Sequence, residues 1–240
     1  MNCRTYLISI LSIIIIIISI TLSFSPIENF QTKSEITLYN TVYGNRDVSY
    51  NEIFPLKKYT FYDTTVYGPN QLHLLKNLYG KNYMTHGKRK YGTDRSLFKI
   101  QNFRPANKNH KNYQGCTEDT VRCKFNIGKN YLTPPCCANH LTELLFYITK
   151  LLEKHNILYF IYYGTLLGAI RHKGLIPWDT DIDIYIDIQS KNKVNELKEY
   201  IENNTHYKMN GSEKEYSPIR LNYSDINKQH VDIYYYRINK

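Results

Sequence analysis

The sequence predicts a domain of the α/β or α+β class, a mixed sheet flanked by helices, carried behind a single N-terminal membrane anchor. Three observations lead there. Tyr6 to Phe24 is a run without a charge; the second half reads as helix, strand, strand, helix, strand; and from Asp181 to Ile188 isoleucine alternates with an acid or tyrosine. An uncharged run of that length can cross a bilayer as one helix, and a period of two marks a strand with one apolar and one polar face. With 240 residues and 24 tyrosines, the chain can bury a core and is rich in the amphipathic rings that suit half-buried sheet.

Taken in order, residues 1–5 form a short cytosolic tail containing Cys3, and residues 6–24 the anchor. A cleaved signal peptide is the rival reading. Ser23 and Ser25 offer small residues for a cleavage site, but Pro26 would follow the cut and the apolar run exceeds the usual length. Arg4 ahead of the run points the N-terminus to the cytosol and the body to the lumen, a single-pass type II topology in the Golgi or endoplasmic reticulum membrane. Sequons at Asn203, Asn210 and Asn222 are compatible with that route. Residues 25–47 are polar, lack a sustained period and read as a stalk.

Within 48–92, the run Tyr59 to Tyr67 reads as a strand, Gly68-Pro69 as a turn and Gln71 to Tyr79 as a short helix. Residues 93–137 are loop-rich and hold Cys116, Cys123, Cys136 and Cys137. Between Lys76 and Lys111 ten Lys or Arg stand against one acid, Asp94, which accounts for most of the net charge of +10. That stripe suits a phosphate-rich partner or a solvated loop, and the lumenal topology argues against nucleic acid.

Residues 138–240 are the most regular. Leu141, Leu144, Leu145, Ile148, Leu151 and Leu152 fall at helical spacing, with Asn139 placed to cap the start and Asn156 near the stop. Ile157 to Tyr163 is an apolar strand ending at Gly164. After Asp181–Ile188, Ser190 opens a helix with Val194, Leu197 and Ile201, and His230 to Tyr236 is a last strand carrying Asp232.

The chemistry sits on Asp179, Asp181, Asp183 and Asp232. Two aspartates two apart on a strand project the same way, so their oxygens can converge on one hard cation, Mg2+ or Mn2+. Such an ion bridges a diphosphate while a hydroxyl attacks phosphorus in line. An acid-decorated, solvated sheet face is the plain alternative on spacing alone.

Context shifts that balance. The stretch Tyr163-Gly-Thr-Leu-Leu-Gly-Ala-Ile-Arg-His-Lys-Gly-Leu-Ile-Pro-Trp-Asp-Thr-Asp-Ile-Asp183 resembles the signature of the LicD and fukutin family, a branch of the nucleotidyltransferase fold. The resemblance implies a nucleotidyltransferase-like sheet with a Gly164-Thr165 turn, the Asp181-Ile-Asp183 strand and a third acid, Asp232. Gly164 would let the backbone approach phosphate, and Thr165 would offer its hydroxyl and amide. Arg171, His172 and Lys173 would neutralise donor phosphate, Arg171 foremost, and Trp178 would pack under the acid loop or stack on a base. Thr180 stands where many members carry a third consecutive acid. The implied activity is transfer of phosphocholine or ribitol phosphate from a cytidine diphosphate (CDP) donor to a sugar hydroxyl of a glycan. A partner glycosyltransferase or an oligomer would fit such a role, and a catalytically inactive glycan-binding or partner-binding relative is the alternative.

The four lumenal cysteines read by themselves as two disulfides. The resemblance reverses this, because the fukutin-related branch has the same gap and terminal Cys-Cys pair around a structural zinc, which implies zinc at Cys116, Cys123, Cys136 and Cys137. One arrangement departs from the family. Residues 53 to 80 resemble a segment that usually follows the third aspartate, yet here they precede the first. A circularly permuted domain is the preferred reading, and a truncated domain behind a remnant repeat is the other.

Overall fold

In the computed structural model, the described residues are 34–41, 44–88, 97–100, 117–119, 135–211 and 216–239. The anchor expected at residues 6–24 lies outside them; among the described residues no helix is long and apolar enough to cross a membrane. The described residues from Glu35 onward form one compact unit.

The strands are β1 (Glu35–Leu38), β2 (Arg46–Ser49), β3 (Lys57–Phe61), β4 (Thr64–Gly68), β5 (His86–Lys88), β6 (Leu97–Lys99), β7 (Tyr159–Ile161), β8 (Asp181–Asp187), β9 (Lys208–Asn210), β10 (Ile219–Asn222) and β11 (His230–Ile238). The helices are α1 (Tyr50–Ile53), α2 (His73–Tyr79), α3 (Pro135–Lys154), α4 (Tyr163–Arg171) and α5 (Lys191–Asn204). The class is mixed α/β, as the alternating segments require.

The main sheet is organised around β11. On one side β8 runs parallel to it from His230 to Tyr236. The other edge is shared: β10 pairs antiparallel with His230 to Ile233, and β1 with Tyr236 to Ile238. β2 extends β1, β9 extends β10, and β7 closes the far side of β8. β1 corrects the stalk expectation, since Ile36 and Leu38 are buried in the core. A four-residue strand is too short to show a sustained period in sequence; its place is decided by the open edge of β11.

β8 follows its alternation except at Tyr185, which lies on the acid face yet is fully buried. Ile182, Ile184 and Ile186 are fully buried, while Asp181, Asp183 and Asp187 keep partial exposure. The long helix packs on β8 and β11 through Leu141, Leu144, Leu145, Ile148 and Leu152. It begins at Pro135, four residues before the expected cap at Asn139, because proline suits a first helical turn whose amides need no partner. Asn156 does mark its stop, in the left-handed region with φ 54°.

The run Tyr59 to Tyr67 is a hairpin, β3 with β4, turning at Tyr62 with φ 54°. Residues 53–80 join the same core: Ile53, Phe61, Val66, Leu74 and Leu75 are buried with the residues of β8 and β11. The Tyr62 amide also donates to the Lys173 carbonyl. Of the sequons, Asn203 and Asn210 are exposed, but Asn222 is 2% exposed and points into the structure, so it cannot accept a glycan.

Candidate active site

The parallel register of β8 and β11 sets the site. Asp181 lies opposite His230 and Asp183 opposite Asp232, and partners in register project to the same face of a sheet. One ligand atom each from Asp181, His230 and Asp232 falls within 4.8 Å of the others. The expected set of Asp181, Asp183 and Asp232 is therefore changed by one member: His230 joins the converging group, and Asp183 stands beside it on the same face.

These residues fit a divalent cation. His230 Nδ1 lies 2.8 Å from the Lys228 carbonyl, which can only accept, so Nδ1 carries a hydrogen and Nε2 is the ring nitrogen left on the side of the carboxylates. Nε2 stands 3.6 Å from Asp232 Oδ2, a separation that two ligands sharing one ion at about 2.1 Å each can adopt. Burial by itself would raise the Asp232 carboxyl; the pull of His230 and of the Arg220 guanidinium outweighs it and holds the group below the ordinary aspartate value. Arg220 Nε donates to Asp232 Oδ1 at 2.7 Å and the adjacent terminal nitrogen to Oδ2 at 3.0 Å.

The turn into α4 is built against this face. Gly164 leaves room for Asp179, since a Cβ there would stand 2.6 Å from Asp179 Oδ2. Asp179 also accepts from the Thr180 amide. Thr165 is 1% exposed, and its hydroxyl accepts the Asp183 amide at 2.8 Å, so it fixes the strand that carries the acids. The left-handed residue is Tyr163, φ 43°, rather than Gly164. A non-glycine there costs on the order of 1 kcal/mol, and its phenol is held by Asn40 Nδ2 at 3.0 Å and by the Tyr185 hydroxyl at 3.1 Å.

Arg171 and His172 are buried. Arg171 Nη1 donates to the Tyr83 carbonyl at 2.6 Å and its Nε to His172 Nε2 at 2.9 Å. Desolvation brings its pKa down to about 10, so it stays charged at neutral pH. Its guanidinium and the His172 ring both pack on Trp178. This group thus spends its donors on the protein and braces the loop leading to Asp179. Lys173 turns the chain after α4 with φ 58°.

Cys136 and Cys137 are disulfide-bonded, which corrects the zinc expectation at these two positions. A disulfide sulfur has no thiolate charge to give a cation. Cys116 and Cys123 lie outside the described residues, as does most of the basic stripe.

Comparison with known proteins bears on the same residues. The family described as LicD/FKTN/FKRP, nucleotidyltransferase domain, matches residues 156–240, which include Gly164, the three aspartates, Asp179 and His230. Residues 156–240 match the LicD family domain. It is 31% identical to human ribitol 5-phosphate transferase FKRP over 133 residues, 50% of this chain and 26% of that protein. It is also 54% identical over 44 residues to lipopolysaccharide cholinephosphotransferase LicD of Haemophilus influenzae, 18% of this chain and 17% of that protein. The chain thus spans about a quarter or less of the length of these curated relatives.

Residues outside the LicD-type segment complete the site. Tyr79 of α2 has its phenol pushed well up, by burial first and then by Asp183 and Asp179, and Asn40 follows β1. Sequence reading missed His230, although His-x-Asp on a strand places both side chains on one face. It also missed Arg220, for which only strand pairing gives a signal.

Proposed function

We propose that this chain transfers a phosphate-linked group, ribitol phosphate or phosphocholine, from a CDP-activated donor to a sugar hydroxyl of a glycan. The observation that carries this is the convergence of Asp181, Asp232 and His230, with Asp183 beside them, on one face of two parallel strands. The names of the relatives support the two groups proposed for transfer: one is a ribitol 5-phosphate transferase, the other a cholinephosphotransferase.

Asp181, Asp232 and His230, with Asp183 adjacent, would hold Mg2+ or Mn2+. When bound, such an ion screens the donor diphosphate and stabilises charge on the departing phosphate. The acceptor hydroxyl oxygen forms a bond to the donor's distal phosphorus, the bond from that phosphorus to the bridging oxygen breaks, and cytidine monophosphate (CMP) leaves. A carboxylate of the cluster takes the hydroxyl proton. The Gly164 turn gives close access beside Asp179, while Thr165 keeps the Asp183 strand in register.

We place this activity in the lumen of the Golgi or endoplasmic reticulum, with residues 6–24 as anchor; the support is the uncharged run behind Arg4 and the exposed sequons Asn203 and Asn210. Release of CMP from CDP-ribitol or CDP-choline in the presence of a glycan acceptor tests the activity. It should require Mn2+ or Mg2+ and stop with a chelator, and no release from either donor at saturating metal would overturn it.

A further inference from the structure

Three carboxylates crowd one face of two strands, yet a diphosphate donor brings more negative charge to the same place. One divalent ion leaves Asp181, Asp183 and Asp232 with a net negative charge, so a further cation is needed before a diphosphate is welcome. Among the described residues Arg171 does not serve, because it is buried and bonded to the Tyr83 and His86 carbonyls. Arg237 stacks on Tyr39 and Tyr216.

Arg220 has the required position and reach. β10 sets it directly opposite Asp232, on the face of the acids. Its side chain is 47% exposed where that of Asp232 is 7% exposed, so one end of the pair is fixed in the wall and the other reaches solvent. Its fork grips both Asp232 oxygens in parallel, the arrangement in which arginine also binds phosphate. Each carboxylate oxygen keeps a second lone pair, so the pairing and a metal ligand role compete by charge rather than by exclusion.

We propose that Arg220 recognises the donor diphosphate: without metal it stands in for the cation at Asp232, and with metal and donor it shifts its fork toward phosphate oxygens. The proposal rests on the phosphate-transfer reading above. It predicts opposite effects on two ligands from one residue, which a purely structural arginine would not produce.

The test is calorimetric titration of full-length wild-type, Arg220→Gln and Arg220→Lys proteins, first with Mn2+ alone and then with inorganic pyrophosphate at saturating Mn2+. Arg220→Gln should bind Mn2+ about threefold to tenfold more tightly, because a competing positive charge is gone. It should bind pyrophosphate at least tenfold more weakly. Arg220→Lys should keep the wild-type Mn2+ affinity and lose part of the pyrophosphate affinity, since charge is retained and the fork is not. The lysine variant carries the test by itself if the glutamine variant does not fold. Mn2+ affinity unchanged or reduced in Arg220→Gln, or pyrophosphate bound as in wild type by either variant, overturns the proposal. Wild-type protein that binds Mn2+ but no pyrophosphate instead defeats the phosphate-transfer reading beneath it.

Discussion

The Cα of Gly164 faces the carboxylate of Asp179 so closely that a methyl group there would lie 2.6 Å from Oδ2. The obstacle is the end of a side chain, so Gly164→Ala should displace Asp179 and leave the backbone in place. Because small misplacements in a site carry large kinetic penalties, transfer should fall by about tenfold to a hundredfold. The melting temperature should move by only a few degrees. Full activity in this variant would show that Asp179 has no part in the reaction.

Asp181→Asn, Asp183→Asn and Asp232→Asn keep side-chain shape and remove charge. Each should abolish CMP release while circular dichroism stays that of the native fold. Asp232→Asn should in addition loosen Arg220, whose guanidinium is stabilised by this carboxylate. Wild-type turnover in Asp181→Asn or Asp232→Asn would remove the metal assignment.

His230 contributes an imidazole to a group otherwise made of carboxylates, and imidazole suits Mn2+ better than Mg2+. Activity should therefore be higher with Mn2+ at equal low concentration. His230→Gln should weaken Mn2+ binding by on the order of tenfold or more, and the preference between the two metals should narrow. Titration calorimetry with each metal reads both effects.

Thr165 is buried under the aspartate strand, with its hydroxyl accepting the Asp183 amide. Thr165→Val keeps the volume and leaves that amide unpaired, a loss of about 1–3 kcal/mol. Thr165→Ser should recover most of it. Urea unfolding of the three proteins distinguishes a positioning role from simple packing.

His140 stacks on Tyr223 and pairs with Asn227 in a buried site. Burial first, and then nearby His206, bring its pKa down from 6.5 to about 4, against the opposing pull of Glu118. The folded protein thus resists a proton that the unfolded chain accepts. Its contribution is complete above pH 6.5 and is lost as pH falls toward 4. His140→Phe, which keeps an aromatic ring, should flatten the fall in melting temperature over that window; an unchanged pH profile would contradict the assignment.

Much of the site was legible in the chain itself. Alternation from Asp181 to Ile188 assigned the acids to one face and the isoleucines to the other, and burial follows that division. The Gly164-Thr165 turn was visible through the resemblance to the LicD and fukutin signature, and Asp232 as an acid on a later apolar strand. The zinc expectation, which came from the resemblance, did not survive at Cys136 and Cys137, whose sulfurs are in disulfides, as the cysteines read by themselves.

By itself the sequence determined which residues share a face, because side-chain direction along a strand or helix depends only on local periodicity. The tertiary structure alone decided which faces meet. Register across β8, β11 and β10 set His230 against Asp181 and Arg220 against Asp232, docking of residues 53–80 brought Tyr79 into the field of the aspartates, and burial turned Arg171 inward. Strand pairing joins residues far apart in the chain, so no local pattern encodes it; the charge balance of this site is written in those pairings.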